Sequence, residues 1–304
     1  MKAMVLTALS KIEEQEIPQP VPADGEALVR VTGSGICGTD LKIFDGGMPA
    51  RLPLVMGHEI TGEIVKGHTA NGAGPGTRVV IDPTCACGTC FHCKIGQTNL
   101  CPNSLLIGRE RNGGFAEYMY LPWNSILHKV PDGLSPELAG VVTPMANGIQ
   151  WALFDCNVGY DSRVLIQGPG QQGLSQVVAC KQAGASLIII TGTNKDIKRL
   201  AVAKSLGADY TINVEKEDPL ERIMEITSGE GMDVSLECTA GAGTIPVLLG
   251  IEAMKRKGGT LLIQGEVPDF PNFPMGKIAN KYITIKAARG HNYRSCELAL
   301  KQLN

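Results

Sequence analysis

The sequence predicts an α/β protein of two domains, with a doubly wound parallel sheet in the second. Its 304 residues are enough for two domains of about 150 residues each. Before residue 150, short alternating segments such as 27–31 and 77–81 are separated by turns rich in glycine and proline, which is typical of β structure. After Asp161, apolar segments alternate with amphipathic ones, and this order predicts the strands and helices of a parallel sheet.

The second half divides into regular elements by its hydrophobic periodicity. Apolar runs predict buried strands, and segments with apolar residues every three or four positions predict helices. We therefore expect one domain over residues 1–150 and a second over residues 151–290. The predicted strands are 163–167, 187–191, 210–213, 233–236, 260–264 and 282–286, and the predicted helices are 172–183, 195–206, 219–228 and 243–257.

Composition and charge argue against several function classes. The chain has 28 Lys and Arg residues against 30 Asp and Glu residues, so its net charge of −2 gives no electrostatic reason to bind nucleic acid or an anionic membrane. The longest aliphatic run, 187–190, is far shorter than the ~20 residues that span a bilayer, and the first residues lack the apolar stretch of a signal peptide. We expect a cytoplasmic protein without nucleic acid or membrane partners.

Half of the ten cysteines lie between Cys85 and Cys101, and this clustering predicts a metal site. The spacing is Cys87-x2-Cys90-x2-Cys93-x7-Cys101, so four thiolates on one loop can close a tetrahedral shell around a structural zinc ion. Two alternatives remain, an iron–sulfur cluster and four unrelated buried cysteines, although the second fits poorly with a polar loop. Cys85 lies outside the spacing.

A glycine fingerprint, Gly168-x-Gly170-x2-Gly173, follows the apolar strand 163–167 and opens a helix. This context predicts a dinucleotide site. Gly168 allows a tight turn, Gly170 lets the backbone approach a pyrophosphate, and Gly173 permits close packing of the helix on the strand. The alternative is a glycine-rich turn that binds nothing.

The end of the next predicted strand favours NADP over NAD as the cofactor. NAD-binding domains of this type place a carboxylate there for the ribose hydroxyls, whereas this strand runs into Gly192. Gly192 leaves room for a 2′-phosphate, Thr193 can donate a hydrogen bond, and Lys195 and Arg199 can supply charge-assisted bonds. Alternatively, these basic residues are only solvated, and Asp196 reaches the ribose.

The third signal is a pair of short motifs, Cys37-Gly38-Thr39-Asp40 and Gly57-His58-Glu59. These motifs are informative because of their order along the chain relative to the cysteine loop and the glycine fingerprint. Together with Gly113-Gly-Phe-Ala-Glu-Tyr118, the cysteine loop and the fingerprint, these motifs resemble the zinc-dependent medium-chain dehydrogenase/reductase family throughout the chain. Alcohol, sorbitol and threonine dehydrogenases belong to that family. The resemblance implies a GroES-like β-barrel catalytic domain, with a structural zinc lobe at about 85–105, followed by a Rossmann domain.

The resemblance also implies roles for individual residues. Cys37 and His58 match two ligands of a catalytic zinc, and Glu59 matches a carboxylate that lies beside the metal or binds it. Thr39 matches the hydroxyl that bonds the substrate oxygen. Cys87, Cys90, Cys93 and Cys101 match the structural zinc lobe.

Three features depart from the family pattern. Thr143 stands where the family has a Cys, Glu or Asp ligand, and a neutral hydroxyl is a poor zinc ligand. Lys42 stands where a relay histidine is often found. Family members usually continue beyond Asn304, so we expect a C-terminally truncated chain in which residues 291–304 begin the segment that returns to the catalytic domain.

The activity implied is hydride transfer between an alcohol or polyol, or the matching carbonyl compound, and NAD(P), in a homo-oligomer of two or four chains. Two alternatives stay open. One is a zinc-independent NADPH reductase of activated alkenes or quinones, which the loss of a ligand at Thr143 favours. The other is a non-catalytic NADPH-binding protein on the same fold.

Overall fold

The computed structural model describes residues 1–265 and 267–304, which form two compact units. The first unit comprises Met1–Thr143 and Asn292–Asn304, and the second comprises Pro144–His291. Among the described residues, every helix is too short or too polar to cross a bilayer.

The first unit is built mainly from short strands. They are β1 (Lys2–Ala8), β2 (Lys11–Glu16), β3 (Ala27–Gly35), β4 (Leu54–Val55), β5 (Glu59–Gly67), β6 (Arg78–Ile81), β7 (Thr84–Cys85), β8 (Leu105–Leu106), β9 (Tyr118–Leu121) and β10 (Leu127–Lys129). Strands β10, β6, β5, β3 and β9 form, in that order, an antiparallel sheet, while β2, β1 and β4 form a smaller one and β7 pairs with β8. Apolar side chains of this sheet, such as Val29, Ile60 and Val79, are fully buried and form the core. The prediction of a β-rich first half is confirmed.

Short helices interrupt these strands, and none of them is among the predicted helices because each is too short for its periodicity to show. The helix α1 begins where the Asp40 carboxylate accepts the backbone N–H of Cys37 at 2.8 Å, and it ends at Gly46, whose φ of 81° breaks the helix. These helices are α1 (Gly38–Asp45), α2 (Phe91–Lys94), α3 (Pro136–Ala139) and α4 (Val142–Ile149).

The second unit contains a six-stranded sheet in which all neighbouring strands are parallel. Its strands are β11 (Arg163–Gln167), β12 (Leu187–Gly192), β13 (Tyr210–Asn213), β14 (Val234–Glu237), β15 (Thr260–Ile263) and β16 (Thr284–Ala287). They lie in the order β13-β12-β11-β14-β15-β16, which is the doubly wound arrangement. The helices are α5 (Gln171–Gln182), α6 (Ile197–Ser205), α7 (Pro219–Ile226), α8 (Ile245–Ala253) and α9 (Met275–Lys281). The predicted fold class of this half is confirmed.

The strands of this sheet are continuous apolar runs because both faces are covered by helices. Leu165, Ile189 and Ile212 on three adjacent strands are buried together with Ile223 of α7. The one polar side chain that closes β11, Gln167, is also buried and donates its amide to Ser235 Oγ at 3.0 Å and to the Pro246 carbonyl at 2.8 Å. These bonds tie the central strand to β14 and α8.

All six predicted strands are present, and the differences from the prediction have local causes. Strand β16 begins at Thr284 instead of residue 282, because α9, which was not predicted, ends at Lys281 and is followed by Tyr282 with a left-handed φ of 55°. Helix α6 begins at Ile197, since a 3-10 turn occupies Asn194–Asp196. The predicted helix 243–257 is shorter and covers Ile245–Ala253.

The first segment of the first unit ends at Thr143, whereas the sequence predicted a domain boundary at residue 150. The residues that follow α4 form a π-helical turn, Gln150–Asp155, that packs against α5 of the second unit. The final residues, Asn292–Asn304, belong to the first unit and form one further helix, α10 (Tyr293–Leu303). Glu297 of α10 lies 2.5 Å from the ring Nδ1 of the buried His128 on β10.

The carboxylate of Asp233 stabilises the amino edge of the parallel sheet. It accepts the Arg163 backbone N–H at 2.9 Å and its Nε–H at 3.2 Å, and Lys255 Nζ lies 2.9 Å away. Burial alone would raise the pKa of Asp233, but Arg163 and Lys255 outweigh it and hold the pKa below its usual 3.8. The stabilisation is therefore complete above that pH and is lost as the pH falls through the lowered pKa.

We expect Asp233→Asn to lower the free energy of unfolding at neutral pH by about 1.5–3 kcal/mol, because it removes bonds to a charged acceptor. The difference from wild type should shrink as the pH falls below about 3.8. Urea denaturation followed by circular dichroism measures both effects, with the exposed Asp24→Asn as control. An Asp233→Asn protein as stable as the control at neutral pH would contradict the prediction.

Candidate functional site

Three potential metal ligands from two separate segments meet in the first unit. Cys37 precedes α1, and His58 and Glu59 stand at the start of β5. Cys37 Sγ, a His58 ring nitrogen and a Glu59 carboxylate oxygen all lie within 4.8 Å of one another. Cys37 and His58 are partly buried and Glu59 is buried. The structure thus brings together the three residues that the sequence predicted as a site.

Asp40 holds these segments in place, although it was not predicted as a site residue. Its Oδ2 accepts the Cys37 backbone N–H at 2.8 Å, its Oδ1 accepts the Gly57 N–H at 3.3 Å, and Oδ1 also lies 3.3 Å from His58 Nδ1. The side chain is only 2% exposed. Because Nδ1 faces Asp40, Nε2 is the ring nitrogen left to bind a metal. An acidic residue three positions after Cys37, at a helix start, is the sequence signal that could have found it.

The charge of this cluster suits a cation. Burial lowers the pKa of His58, but hydrogen bonds and charges from Asp40 and Cys37 outweigh burial and raise it to about 10. Thiolate, imidazole and carboxylate are the donor types that zinc binds in proteins, so the donor set fits a zinc ion. The Thr39 hydroxyl lies 3.9 Å from Cys37 Sγ, at the edge of the cluster. Thr143 is buried in α4 and adds no charged donor.

Two glycines make room for this cluster. A Cβ at Gly35 would lie 2.3 Å from Glu59 Oε2, so glycine there leaves space for the carboxylate. A Cβ at Gly113 would lie 2.0 Å from the Gly57 carbonyl oxygen and 2.8 Å from that of Met56. The Gly113 segment therefore packs directly beneath the turn that presents His58.

The four predicted cysteines of the lobe also come together. The Sγ atoms of Cys87, Cys90, Cys93 and Cys101 lie within 4.8 Å of one another, and that of Cys90 is 3.5 Å from Cys93 and 3.8 Å from Cys101. Cys85 is outside the group and is buried in the core, with Ser125 Oγ 3.8 Å from its Sγ.

The pKa values of Cys87 and Cys93 are shifted in opposite directions. Hydrogen bonds from the Thr89 backbone and side chain lower the pKa of Cys87 to about 5. Desolvation and the neighbouring thiols raise the pKa of Cys93 to about 12. Four thiols this close cannot all ionise unless a cation compensates their charge. An all-sulfur, tetrahedral donor set suits zinc or iron.

The fingerprint glycines lie at the carboxyl end of β11, as predicted from the sequence. Gly168 has a φ of 93°, and a Cβ at Gly173 would lie 1.9 Å from the Gly168 carbonyl oxygen. Gly170 immediately precedes α5, with nothing within 4 Å of where its Cβ would be. The backbone is therefore open at Gly170, just before the amino end of α5, where a phosphate group is favoured.

The turn after β12 contains a carboxylate that engages its neighbours. Asp196 Oδ2 accepts the Thr193 N–H at 3.1 Å and its hydroxyl at 2.9 Å, and Asp196 Oδ1 accepts a bond from Arg199 at 3.0 Å. Burial favours a higher pKa for Asp196, but Thr193 and Arg199 outweigh burial and lower it. Gly192 ends the strand, and Lys195 is exposed.

Comparison with known proteins gives matches along most of the chain. Residues 23–132 match the alcohol dehydrogenase GroES-like domain, and residues 173–304 match the zinc-binding dehydrogenase domain. The chain is 34% identical to a sorbitol dehydrogenase of Halalkalibacterium halodurans over 313 aligned positions, which cover 100% of this chain and 88% of the relative. It is 32% identical to an L-threonine 3-dehydrogenase of Yersinia pseudotuberculosis, covering 94% of this chain and 84% of the relative.

Solved structures give the same picture. A zinc-binding dehydrogenase from Sinorhizobium meliloti bound to NADP superposes with a TM-score of 0.91 at 29% identity, covering 99% of this chain and 89% of the other. An alcohol dehydrogenase from a Thermus species superposes with a TM-score of 0.88 at 30% identity, covering 100% and 88%. An alcohol dehydrogenase from Escherichia coli in complex with NADH has a TM-score of 0.86 at 26% identity, covering 100% and 87%.

We expect Gly113→Ala to destabilise the first unit by about 1–3 kcal/mol, the usual cost of overpacking, because the new methyl group meets backbone that cannot move aside. The variant should also displace His58 and lower the zinc content of the purified protein. Gly47→Ala is the matched control, since its Cβ would meet only the Lys42 carbonyl at an ordinary 3.7 Å. Chemical denaturation and metal analysis test this, and equal stability of the two variants would refute it.

Proposed function

Because the chain belongs to the zinc-dependent medium-chain dehydrogenase family, as its matches to the GroES-like and zinc-binding dehydrogenase domains show, we propose that Cys37, His58 and Glu59 hold its catalytic zinc. The protein is an NAD(P)-dependent oxidoreductase that acts on alcohols or polyols and on the matching carbonyl compounds. The observation that carries the metal assignment is the convergence of sulfur, nitrogen and oxygen donors within 4.8 Å.

Each residue of this cluster has a distinct part. Cys37 and Glu59 supply negative charge that offsets the cost of desolvating a divalent cation, and Asp40 orients His58 and favours Nε2 as its ligand atom. Glu59 takes the third ligand position because Thr143 brings only a neutral hydroxyl. When bound, zinc supplies Lewis-acid chemistry that lets an alcohol lose its hydroxyl proton near neutral pH. Thr39 Oγ1, which lies 3.9 Å from Cys37 Sγ, would accept a hydrogen bond from the substrate hydroxyl and would release its own hydroxyl proton to water as it takes up the proton of the substrate.

The cysteines at 87, 90, 93 and 101 hold a second, structural zinc. The segment around them has little core of its own, since Phe91, Ile95 and Leu100 are exposed. A closed shell of four thiolates therefore replaces apolar packing as the organiser of this loop.

The substrate carries a hydroxyl group among further polar groups. The matching relatives are named for sorbitol and L-threonine, both of which are small and polar. A panel of alcohols, polyols and hydroxy amino acids, assayed with the zinc-loaded protein by the absorbance of the reduced cofactor, tests this class. The protein acts in the cytoplasm. It forms a homo-oligomer of two or four chains, and light scattering on the purified protein measures the number of chains.

NADP is the preferred cofactor. Gly192 leaves the end of β12 without a carboxylate, Lys195 is exposed beside it, and one of the similar structures is bound to NADP. Asp196 neutralises Arg199 and uses the Thr193 hydroxyl, so its charge limits the affinity for a 2′-phosphate.

We expect Cys90→Ser to lose the structural zinc, because a neutral hydroxyl replaces one of four thiolates. The purified variant should contain less zinc and be cut more readily by protease within residues 85–105. Cys85→Ser is the matched control, since Cys85 lies in the same segment but outside the donor group. Retention of the same slowly exchanging zinc in Cys90→Ser would refute the assignment.

We expect Glu59→Gln to weaken the catalytic zinc site by about 10–100-fold while leaving the structural zinc in place, because an anionic ligand becomes neutral at similar volume. Competition with a chelator, followed by metal analysis and activity, measures the change. Glu63→Gln on the same strand, where the side chain pairs with Arg30, should have no effect on zinc. An unchanged affinity in Glu59→Gln would exclude Glu59 as a ligand.

We expect NADPH to bind more tightly than NADH in fluorescence titrations. Lys195→Ala should weaken NADPH binding by about tenfold, the value of one charge-assisted bond, and leave NADH unchanged. Arg199→Ala should weaken NADPH binding by a smaller factor, because Asp196 already pairs with Arg199. Asp196→Asn should strengthen NADPH binding, since it removes a negative charge beside the phosphate. Lys181→Ala, on the amino side of the sheet next to Asp209, is the control. Tighter binding of NADH to wild type would overturn the preference.

A further inference from the structure

A buried carboxylate lies at the end of β14, in the second unit, and neither the sequence motifs nor the metal clusters account for it. Glu237 is only 1% exposed. Its Oε1 accepts the Thr239 N–H at 2.7 Å and also the Thr239 hydroxyl, and its Oε2 accepts the Gly265 N–H at 2.9 Å. One side chain thus binds the segments that follow two neighbouring strands, β14 and β15.

The place of Glu237 in the sheet connects it with the dinucleotide fingerprint. It pairs in register with Gln167, the last residue of β11, and with Ile263, the last residue of β15. From β11 the chain adds β12 and β13 on one side of the sheet, and it then adds β14, β15 and β16 on the other side of β11. The direction in which strands are added therefore reverses between β11 and β14. Open α/β sheets bind their ligands at this point, beyond the carboxyl ends of the strands.

The residues that Glu237 holds pack against the fingerprint turn itself. A Cβ at Gly168 would lie 3.1 Å from the Cys238 carbonyl oxygen and 3.1 Å from the Thr239 methyl group. A Cβ at Gly265 would lie 2.3 Å from Glu237 Oε2 and 2.6 Å from the Thr239 carbonyl oxygen. The shape of the turn at Gly168 therefore depends on Thr239, and the position of Thr239 depends on Glu237.

We infer that Glu237 is a positioning residue for the nicotinamide dinucleotide, which fixes the turns after β11, β14 and β15 in the arrangement that binds the cofactor. This inference rests on the proposed function, in which the fingerprint at Gly168 binds that cofactor. Glu237 need not touch the cofactor, since it acts through Thr239 and Gly265.

A carboxylate satisfies all of these donors because both of its oxygens accept hydrogen bonds. Two N–H groups and one hydroxyl point at its two oxygens, whereas the side chain of glutamine offers one accepting oxygen and one donating NH2 group. In Glu237→Gln, whichever way the amide turns, its NH2 group faces the N–H of Thr239 or that of Gly265. A donor facing a buried donor forces one of the two turns to move.

The test compares variants at the two ends of one strand. Glu237→Gln alters the carboxyl end of β14, and Asp233→Asn alters a carboxylate at its amino end, beside Arg163. Dissociation constants for NADPH and NADH, Michaelis constants for cofactor and for alcohol, kcat, zinc content and thermal unfolding are measured for both, and for Thr239→Val, which removes the hydroxyl and keeps the shape.

We expect Glu237→Gln to bind both cofactors about tenfold more weakly or worse and to raise the Michaelis constant for cofactor, while kcat at saturating cofactor and zinc content stay near wild type. Thr239→Val should shift the same constants by a smaller factor. Asp233→Asn should lower the unfolding temperature without changing either dissociation constant.

Equal cofactor affinity in wild type and Glu237→Gln would overturn the inference while leaving the proposed function intact. So would an Asp233→Asn protein whose cofactor affinity falls as far as that of Glu237→Gln, because the loss would then follow general stability. If Glu237→Gln fails to fold, wild-type affinity in Thr239→Val would overturn it. A wild-type protein that binds neither NADPH nor NADH would overturn the proposed function together with the inference.

Discussion

The hydrogen bonds that Asp40 accepts hold the candidate metal centre together. A single buried carboxylate binds the backbone before α1, the backbone at Gly57 and the ring of His58. Each of these groups would be costly to bury without a partner, so the carboxylate fixes the distance between two segments that are far apart in the chain. The same negative charge raises the pKa of His58 and makes the cluster a favourable place for a cation.

The cluster of four cysteines has a different requirement, because its thiolates repel one another unless a cation compensates their negative charge. The cysteine loop has several exposed apolar side chains and four thiols within 4.8 Å, so it can be neither a packed core nor a set of free thiolates. The structural zinc that we propose here would resolve both problems, since it would neutralise the sulfur atoms and link segments with little apolar packing of their own. The two clusters thus differ in how they are held: a buried carboxylate fixes the segments of Cys37 and His58, whereas the four-cysteine loop has few buried apolar side chains to support it.

The candidate site of the second unit depends on backbone geometry, whereas those of the first unit depend on side-chain donor atoms. Its strands are apolar and covered on both faces, so chemistry is confined to the carboxyl edge, where the strands end in turns. Glycine at 173 and 265 permits contacts with a backbone oxygen or a carboxylate that a Cβ would prevent, and glycine at 168 permits a φ of 93°. Buried polar side chains, Gln167 and Glu237, then fix the ends of adjacent strands relative to one another.

The sequence alone determined what depends on near neighbours in the chain. Hydrophobic periodicity located all six parallel strands, the spacing of four cysteines within fifteen positions located the lobe, and three glycines after an apolar strand located the fingerprint. Order of motifs along the chain was enough to indicate the family. Short helices such as α1 and α9 were missed, because one or two turns carry too little periodicity to be distinguished from loop.

The family resemblance implied that Cys37, His58 and Glu59 meet, but only the tertiary structure decided which buried polar groups hold distant segments together. The bond from Gly57 to Asp40 joins residues seventeen positions apart, and that from Gly265 to Glu237 joins residues twenty-eight positions apart. The sequence also left open whether the Asp196 carboxylate binds a ribose or binds Thr193 and Arg199. The conformation of the loop after β12 decides this, and in the structure Asp196 binds Thr193 and Arg199. The physical reason is that such bonds are set by strand register and by how turns pack, and these are properties of the whole sheet.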